Sequence, residues 1–159
     1  MSDSHENWVK LKKAVAIANE ENCEYLLFAG DLISPPGVKL LEGFQGKVKF
    51  VWGNNEAERV GITRKMDASK NIEMCGDYFE DSLDGKRFFM NHYPKFAELA
   101  SRSGEYDIVI YGHTHEYYYN RMTHCIMLNP GEIQGAATGI SSFVIYDTKL
   151  DTIEKIVIE

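Results

Sequence analysis

The stretch EYLLFAGD, residues 24–31, is a short apolar run that Gly30 and Asp31 close. Such a run predicts a buried strand whose carboxyl end presents Asp31. A second apolar run, KVKFVWGNN at residues 47–55, also ends in a polar turn, and the segment between the two runs predicts a short helix over 38–44. Strands that alternate with helices in this way are typical of a mainly parallel sheet covered by helices.

Outside these two strands, helical and strand-like patterns continue along the chain. The apolar residues after Asn7 recur at steps of three and four, which predicts an amphipathic helix with Asn7 as its N-cap and an end near Asn22. Asp84-Gly85 joins two strand-like runs over 78–92 and predicts a hairpin. The remaining predicted elements are a surface helix and loop at 55–70, a helix at 95–103, a strand at 107–115, and short strands between 116 and 159. We expect this second half of the chain to be antiparallel.

Composition limits the possible classes of protein. The 159 residues are 44% hydrophobic, which predicts one globular domain over residues 1–159 with a sizeable core. The formal net charge of -7 argues against strong binding of nucleic acid or of anionic membranes. The three cysteines, Cys23, Cys75 and Cys125, are scattered and predict reduced thiols in a cytoplasmic protein. No secretory signal pattern or apolar run of membrane-spanning length occurs, so we expect neither that export route nor a membrane span.

Polar residues follow several of the predicted strands, at the edge where α/β sheets place their sites. Together with two residues near the start of the chain they provide seven oxygen or nitrogen donors: Asp3, His5, Asp31, Asn54, His92, His113 and His115. Imidazole and carboxylate ligands suit manganese, iron, cobalt, zinc or nickel. Seven donors exceed a single tetrahedral set, and they fit two ions that share one carboxylate.

Each motif has a simpler explanation when it is taken alone. Asp3 and His5 could belong to a polar terminus. Gly30-Asp31 and Asn54-Asn55 could be ordinary strand-to-turn endings, and His92 could be a satisfied half-buried histidine. The segment GHTH, residues 112–115, is harder to explain in this way, because two histidines at i and i+2 after a buried strand can face neighbouring ions. Four of the five histidines belong to the candidate set, and only His124 lies outside it.

The ordered set Asp-x-His, Gly-Asp, Gly-Asn, His and Gly-His-x-His resembles the calcineurin-like metallophosphoesterase superfamily. In detail it resembles the small prokaryotic YfcE-like phosphodiesterase group. The matching stretches are SDSHEN, FAGDLIS, VWGNNE, MNHYP, YGHTHE and LNPGE, and the resemblance runs from residue 2 to about 147. It implies an α/β fold, a four-layer αββα sandwich of two mixed β-sheets flanked by helices, and a small phosphodiester substrate.

The resemblance also implies roles for the seven donors. It places Asp3, His5, Asp31 and His115 on one divalent ion, and Asn54, His92 and His113 on a second, with Asp31 shared by both. Manganese is the favoured metal, with nickel, iron, cobalt or zinc as alternatives. The implied reaction is attack on phosphorus by a hydroxide held between the ions, which also neutralise charge on the phosphate oxygens. Asp31, Asn54 and His113 are then the expected catalytic residues.

The sequence departs from the family pattern at two positions beside the expected site. Asn55 stands where many members have a histidine credited with stabilising the transition state or protonating the leaving oxygen. Because an amide cannot deliver a proton, we expect weak monoesterase activity and better turnover of diesters with acidic leaving groups. Tyr93 replaces a common glycine after His92 and could stack on a base or aryl group, although an ordinary rim or core tyrosine is an equal alternative. Asn54, Asn55 and Tyr93 are the expected substrate contacts.

Two segments near GHTH have less direct roles. We expect the tyrosines at 117–119 mainly to pack in a sheet, with ligand stacking as the lesser alternative. The stretch LNPGE, residues 128–132, predicts a tight turn that supports the ligands without reacting.

Two other functions are compatible with the same residues. A non-catalytic protein-interaction scaffold of the same fold, with residual metal binding, is the main alternative. Competent residues at all seven positions argue against it. A structural or redox metalloprotein would bind metal without hydrolysing phosphoesters. Exposed strand edges also allow a homo-oligomer.

The first ligand motif lacks the strand that precedes the others. Relatives carry several apolar residues before Asp-x-His, whereas only Met1 and Ser2 precede it in this sequence. We therefore expect a truncated first strand, with Met1 as an internal strand residue of a longer chain. The alternative is a chain that begins with a shortened central strand.

Overall fold

The computed structural model of the chain describes all 159 residues, which form four α-helices and ten strands. The helices are α1 (Trp8–Glu20), α2 (Pro36–Leu41), α3 (Arg59–Asp67) and α4 (Pro94–Arg102). The strands are β1 (Tyr25–Phe28), β2 (Lys47–Phe50), β3 (Ile72–Met74), β4 (Tyr78–Leu83), β5 (Lys86–Asn91), β6 (Ile108–Ile110), β7 (Tyr117–Arg121), β8 (Ile126–Pro130), β9 (Ser142–Asp147) and β10 (Thr152–Val157). None of the helices is both long and apolar enough to cross a membrane.

The first sheet is built around β1, β2 and β3, which pair in parallel. Residues 1–3 extend this sheet beyond β1, because their backbone bonds to Ala29 and Gly30 on one side and to Ile133 and Gln134 on the other, at 2.9–3.0 Å. One isolated bridge then continues to β9, which pairs antiparallel with β10. Residues 1–3 therefore occupy a central position between a parallel and an antiparallel part.

The second sheet has the strand order β4-β5-β6-β8-β7. The hairpin predicted at Asp84-Gly85 is confirmed, since β4 and β5 pair antiparallel on either side of it. The expectation that the whole second half is antiparallel is wrong, because β5, β6 and β8 run parallel. The physical reason is that α4 crosses over between β5 and β6, and a helical crossover returns the chain in the same direction.

Three apolar clusters fill the spaces between these elements. The largest packs α1, α2 and α3 against one face of the first sheet, around Phe28 and Phe50. A second cluster lies between the sheets, where Ala29 and Val51 meet Met90 and neighbours. The third packs α4 against the other face of the second sheet. The expected α/β fold of mixed sheets flanked by helices is confirmed.

Local signals in the sequence account for the helices. The Asn7 side chain accepts a hydrogen bond from the Lys10 backbone at 3.2 Å, as expected of the N-cap of α1. The segment expected to be surface helix and loop contains α3, and two of its residues are fully or nearly fully buried, Ile62 and Met66. These two residues lie four apart on one face, so a single helical turn of apolar contact is enough to attach α3.

Candidate metal centre

The carboxyl ends of parallel strands bring the predicted donors together. Asp31 follows β1, Asn54 follows β2, His92 follows β5, and the segment 112–115 follows β6. The loop of residues 3–5 reaches the same place, because the backbone N–H groups of residues 3 to 5 donate to carbonyls of residues 30 and 31 at 3.0–3.2 Å. All seven predicted donors therefore lie at one end of the two sheets.

Four of the donors form a tight first group. One ligand atom from each of Asp3, His5, Asp31 and His115 lies within 4.8 Å of the other three. His5 Nε2 is 3.4 Å from Asp31 Oδ2 and 3.7 Å from Asp3 Oδ1. His115 Nε2 is 3.4 Å from Asp3 Oδ1. Because carboxylate oxygens and imidazole nitrogens face one common point, the set suits a divalent cation.

The other three donors form a second group beside the first. Asn54 Oδ1 lies 2.9 Å from His92 Nε2 and 2.7 Å from His113 Nδ1. His92 Nε2 is also 3.6 Å from Asp31 Oδ2, the same oxygen that faces His5. The Asp31 carboxylate therefore stands between the two groups, where a shared ligand is expected.

Two buried atoms of the first group test whether a metal ion fits. Asp3 Oδ1 and His5 Nε2 are buried and have no hydrogen-bond partner. Buried polar atoms without a partner are rare in folded proteins and call for an explanation such as an ion. A divalent ion between these atoms satisfies both of them, so the residues fit the metal that their chemistry suggests.

The orientation of His92 supports the same conclusion in the second group. His92 Nδ1 lies 2.7 Å from the Ala29 carbonyl oxygen, which can only accept a hydrogen bond. A neutral ring that donates through Nδ1 has a lone pair at Nε2. That lone pair faces two oxygen acceptors, Asn54 Oδ1 and Asp31 Oδ2, and a cation is the simplest species that joins them.

Unusual backbone conformations cluster at the site. Asp3, His5, Asp31, His113 and His115 all have positive φ, between 39° and 69°. Few non-glycine residues adopt this region, and such strain concentrates at functional sites where the surrounding structure maintains it. Five of the seven donors therefore have a backbone conformation that is unfavourable in itself and that the surrounding structure maintains.

Two glycines allow the turns to approach this closely. A Cβ atom on Gly53 would lie 2.1 Å from Asp31 Oδ1, and one on Gly112 would lie 2.7 Å from Asp3 Oδ2. Any side chain at either position would displace a carboxylate of the site. In the Gly-Asn and Gly-His motifs, the second residue is a donor, and the glycine leaves room for the carboxylate of Asp31 or Asp3.

The sequence did not identify the residue that orients His115. Glu132 Oε2 lies 2.9 Å from His115 Nδ1, and Glu132 Oε1 accepts from the backbone and hydroxyl of Thr138. A carboxylate that accepts from Nδ1–H leaves the Nε2 lone pair pointing at Asp3. Glu132 belongs to the predicted supporting turn, but only the fold shows which ligand it contacts.

Glu56 is a second residue whose role the sequence did not predict. Its two carboxylate oxygens accept backbone hydrogen bonds from Leu32 at 3.0 Å and from Gly53 at 2.7 Å. Burial raises the pKa of Glu56, against the effect of these hydrogen bonds. The side chain ties the turn after β1 to the turn after β2.

The predicted substrate contacts occupy different positions. Asn55 donates to both oxygens of Asp31, from its backbone N–H and from Nδ2, each at 2.8 Å. Its amide therefore fixes the shared carboxylate. The Tyr93 ring lies beside two of the predicted donors, with its centroid 5.2 Å from that of His92 and 5.4 Å from that of His113. The three tyrosines of β7 are exposed on an edge strand. Glu132 lies in the turn after β8 that the sequence predicted to support the ligands.

The electrostatics of the site favour a bound cation. Burial raises the pKa of Asp3, but the His5 imidazole and the Ser2 hydroxyl outweigh this effect, so the pKa lies below its ordinary value. The Asp3 carboxylate in turn raises the pKa of His5 against the effect of burial. Burial likewise raises the pKa of Glu132, but hydrogen bonds from Thr138 outweigh it. These buried carboxylates are thus ionised at neutral pH and attract positive charge.

Comparison with known proteins agrees with this geometry. The model of the calcineurin-like phosphoesterase superfamily domain matches residues 1–151. The chain belongs to this superfamily. It is 34% identical over 161 residues to phosphodiesterase MJ0936 from Methanocaldococcus jannaschii, a match that covers 100% of this chain and 97% of the relative.

Two solved structures show a similar fold. A novel archaeal phosphodiesterase superposes with a TM-score of 0.92 at 34% identity, over 99% of this chain and 97% of that one. YfcE, a phosphoesterase from E. coli, superposes with a TM-score of 0.69 at 16% identity, again over 99% and 97% of the two chains. At that lower identity the likeness to YfcE establishes the fold alone.

Proposed function

We propose that this protein is a metal-dependent phosphodiesterase of the calcineurin-like superfamily. The observation that carries the proposal is the first group of donors, whose ligand atoms lie within 4.8 Å of one another and include two buried atoms without partners. The match to a phosphodiesterase along the whole chain supports the reaction class.

The seven donors divide into two ligand sets in this proposal. Asp3, His5, Asp31 and His115 hold one divalent ion, and Asp31 joins Asn54, His92 and His113 in holding the second. Manganese is favoured because the sets mix hard oxygen with imidazole nitrogen, and nickel, iron, cobalt and zinc are the alternatives. Two such ions lower the pKa of water and neutralise charge on phosphate oxygens.

The protein's own contribution is to fix these ligands before substrate arrives. Asn55 holds both oxygens of Asp31, which keeps the shared carboxylate in one orientation. The Ala29 carbonyl and the Glu132 carboxylate set the tautomers of His92 and His115. Outer partners of this kind raise ligand basicity and restrict ring rotation. Asp31, Asn54 and His113 are accordingly the proposed catalytic residues.

Asn55 also limits the substrates that can be cleaved efficiently. Its amide stands close to the shared carboxylate but has no proton to transfer to a leaving oxygen. Diesters whose leaving group is already acidic need little protonation, so we propose that they are the better substrates. Asn54, Asn55 and Tyr93 are the proposed substrate contacts.

The remaining assignments concern the whole chain. We propose that residues 1–159 form a single domain with the layers of a four-layer αββα sandwich, which the three separate apolar clusters support. Three free cysteines support a cytoplasmic location. The exposed edge strand β7 is compatible with a homo-oligomer.

Metal analysis combined with a substrate screen tests the proposed function. The purified protein is loaded with manganese and assayed with bis(4-nitrophenyl) phosphate and 4-nitrophenyl phosphate. We expect bound metal, clear hydrolysis of the diester and slower hydrolysis of the monoester. A preference for the monoester contradicts the role given to Asn55, and bound metal without any hydrolysis favours the scaffold alternative.

A further inference from the structure

One aromatic side chain, Tyr93, lies next to the second group of donors, and a second one, Phe96, packs against it. The Tyr93 ring packs edge-on against His92 at 5.2 Å and lies at 58° to His113 at 5.4 Å. The Phe96 ring meets the Tyr93 ring at 66°, with the centroids 6.4 Å apart. Phe96 is 55% exposed. The two rings thus form an apolar corner that begins at the metal ligands and opens to solvent.

Packing of the fold does not account for these rings. Neither Tyr93 nor Phe96 belongs to any of the three apolar clusters. Helix α4 turns Ala97 and Ser101 towards the second sheet, and Phe96 lies off that buried face. An isolated exposed apolar residue is ordinary, but two contiguous aromatic residues beside a site suggest a ligand.

The Tyr93 backbone is held firmly. Its N–H donates to Asn91 Oδ1 at 2.8 Å, and the Asn91 amide in turn donates to the Asp77 carbonyl at 2.7 Å. Pro94 follows directly and restricts Tyr93 to an extended conformation, which the observed ψ of 134° shows. The Tyr93 carbonyl accepts from Ala97 at the start of α4. A backbone held in this way reduces the conformational entropy that is lost when a ligand packs against the ring.

We propose that Tyr93 and Phe96 form an aromatic shelf that binds a planar aromatic substituent of the substrate diester. This inference rests on the proposed phosphodiesterase function, which places the phosphate at the metal centre. A phosphate beside His92 and His113 directs one ester substituent towards the shelf. Because the two rings are inclined to each other, a flat ring can contact one by its face and the other by its edge. The substrate class is therefore an aryl or heteroaromatic phosphodiester.

Binding of two small phosphate esters tests the shelf without requiring turnover. Phenyl phosphate and methyl phosphate are titrated calorimetrically into the manganese-loaded protein. The Kd of methyl phosphate divided by the Kd of phenyl phosphate measures the contribution of the ring. Base-sized rings stacked on aromatic residues improve binding by about tenfold or more, so we expect a ratio of about ten in the unaltered protein. We expect Phe96→Ala and Tyr93→Leu to lower this ratio to about three or less, because each removes one wall of the corner.

Leu99→Ala is the matched control. Leu99 is 56% exposed and lies one turn after Phe96 on α4. Its removal should leave the ratio near ten if the shelf is limited to the two aromatic residues. Metal content is measured for every variant, so that loss of manganese is not mistaken for loss of the shelf.

The outcomes separate this inference from the proposed function. A ratio near one in the unaltered protein overturns the shelf, as does failure to bind either ester or equal effects of Phe96→Ala and Leu99→Ala. If the same preparation hydrolyses bis(4-nitrophenyl) phosphate, the phosphodiesterase function stands without the shelf. If the ratio behaves as expected and no diester is hydrolysed, the shelf binds aromatic phosphates and the proposed reaction is wrong.

Discussion

His5 Nε2 and Asp3 Oδ1 face each other across 3.7 Å, and both are buried without a hydrogen-bond partner. The loop that carries them bonds to the turn after β1 through its backbone, which fixes the positions from which both side chains project. A fold tolerates such a pair when a ligand completes it, because buried unpaired polar groups cost free energy. A divalent metal ion is the ligand that these two residues fit.

Replacing Asp31 by Asn should remove both metal retention and activity. Asp31 Oδ2 faces both groups of donors, and an amide weakens both ligand sets at once. We expect diester hydrolysis to fall by more than about 100-fold, beyond the usual effect of losing an outer partner. Asp67→Asn, an exposed acid at the end of α3, is the control. Full activity of Asp31→Asn would exclude the dinuclear mechanism.

Metal binding should stabilise the fold by an amount that rises with the logarithm of the free metal concentration. Manganese at about 100 times its Kd should raise the free energy of unfolding by about 2.7 kcal/mol for each ion bound, measured by thermal or urea unfolding. We expect His5→Ala to lose the part of this gain that comes from the first ion, because it removes a ligand of that ion. His124→Ala should retain it, since His124 is the one histidine outside the candidate site. Equal stabilisation of both variants would place the metal elsewhere.

Glu132→Gln should weaken metal binding without unfolding the protein. The change removes the charge that orients His115 through Nδ1 but keeps the volume of the side chain. Loss of an outer partner of a ligand usually lowers metal affinity 10- to 100-fold, and we expect about that range from metal titration. Glu116→Gln, on the exposed segment between GHTH and β7, serves as the control. Unchanged metal affinity in Glu132→Gln would show that Glu132 does not support metal binding through His115 and only binds Thr138.

Introducing a histidine at position 55 should shift the substrate preference. Asn55→His places a group that can carry a proton where only an amide stands, beside the shared carboxylate Asp31. We expect the ratio of monoester to diester turnover to rise, on the order of tenfold for a weak general acid. The measurement is kcat/KM for 4-nitrophenyl phosphate and bis(4-nitrophenyl) phosphate. A ratio that does not change would show that the acid is not limiting.

Loss of the ion pair between Arg121 and Asp151 should contribute to the loss of stability at low pH. The Arg121 guanidinium, followed by the Tyr146 hydroxyl, lowers the pKa of Asp151 below its ordinary value. Because the pKa of Asp151 is lower in the folded state, its contribution to the free energy of unfolding is complete above about pH 4, the ordinary pKa of Asp. The contribution is lost as the pH falls through the pKa of the folded state. The difference in Tm between the unaltered protein and Asp151→Asn should therefore be largest near neutral pH and shrink below pH 4. A constant difference across this range would contradict the assignment.

The parts of the fold that the sequence predicted well depend on local interactions. Helix α1 begins where Asn7 caps it, and the β4-β5 hairpin turns at Asp84-Gly85. Both signals act within a few residues, so they are visible without knowledge of the rest of the chain. The parallel pairing of β5 with β6 was not predicted, because it depends on how the crossover through α4 returns to the sheet.

By itself, the sequence determined the inventory of the site: which residue types end the strands, in which order, and hence the superfamily and its metal chemistry. The resemblance to the superfamily already implied that the donors form two groups around Asp31. Only the tertiary structure decided the distances within these groups, with Asp31 Oδ2 3.4 Å from His5 Nε2 and 3.6 Å from His92 Nε2. It also decided that Glu132 contacts His115, that the Tyr93 ring lies beside His92 and His113, and that Phe96 packs against Tyr93. The physical reason is range. A strand end can be recognised from neighbouring residues, whereas these contacts, apart from those of Tyr93 with its near neighbours His92 and Phe96, join parts of the chain that meet only when parallel strands align their carboxyl ends.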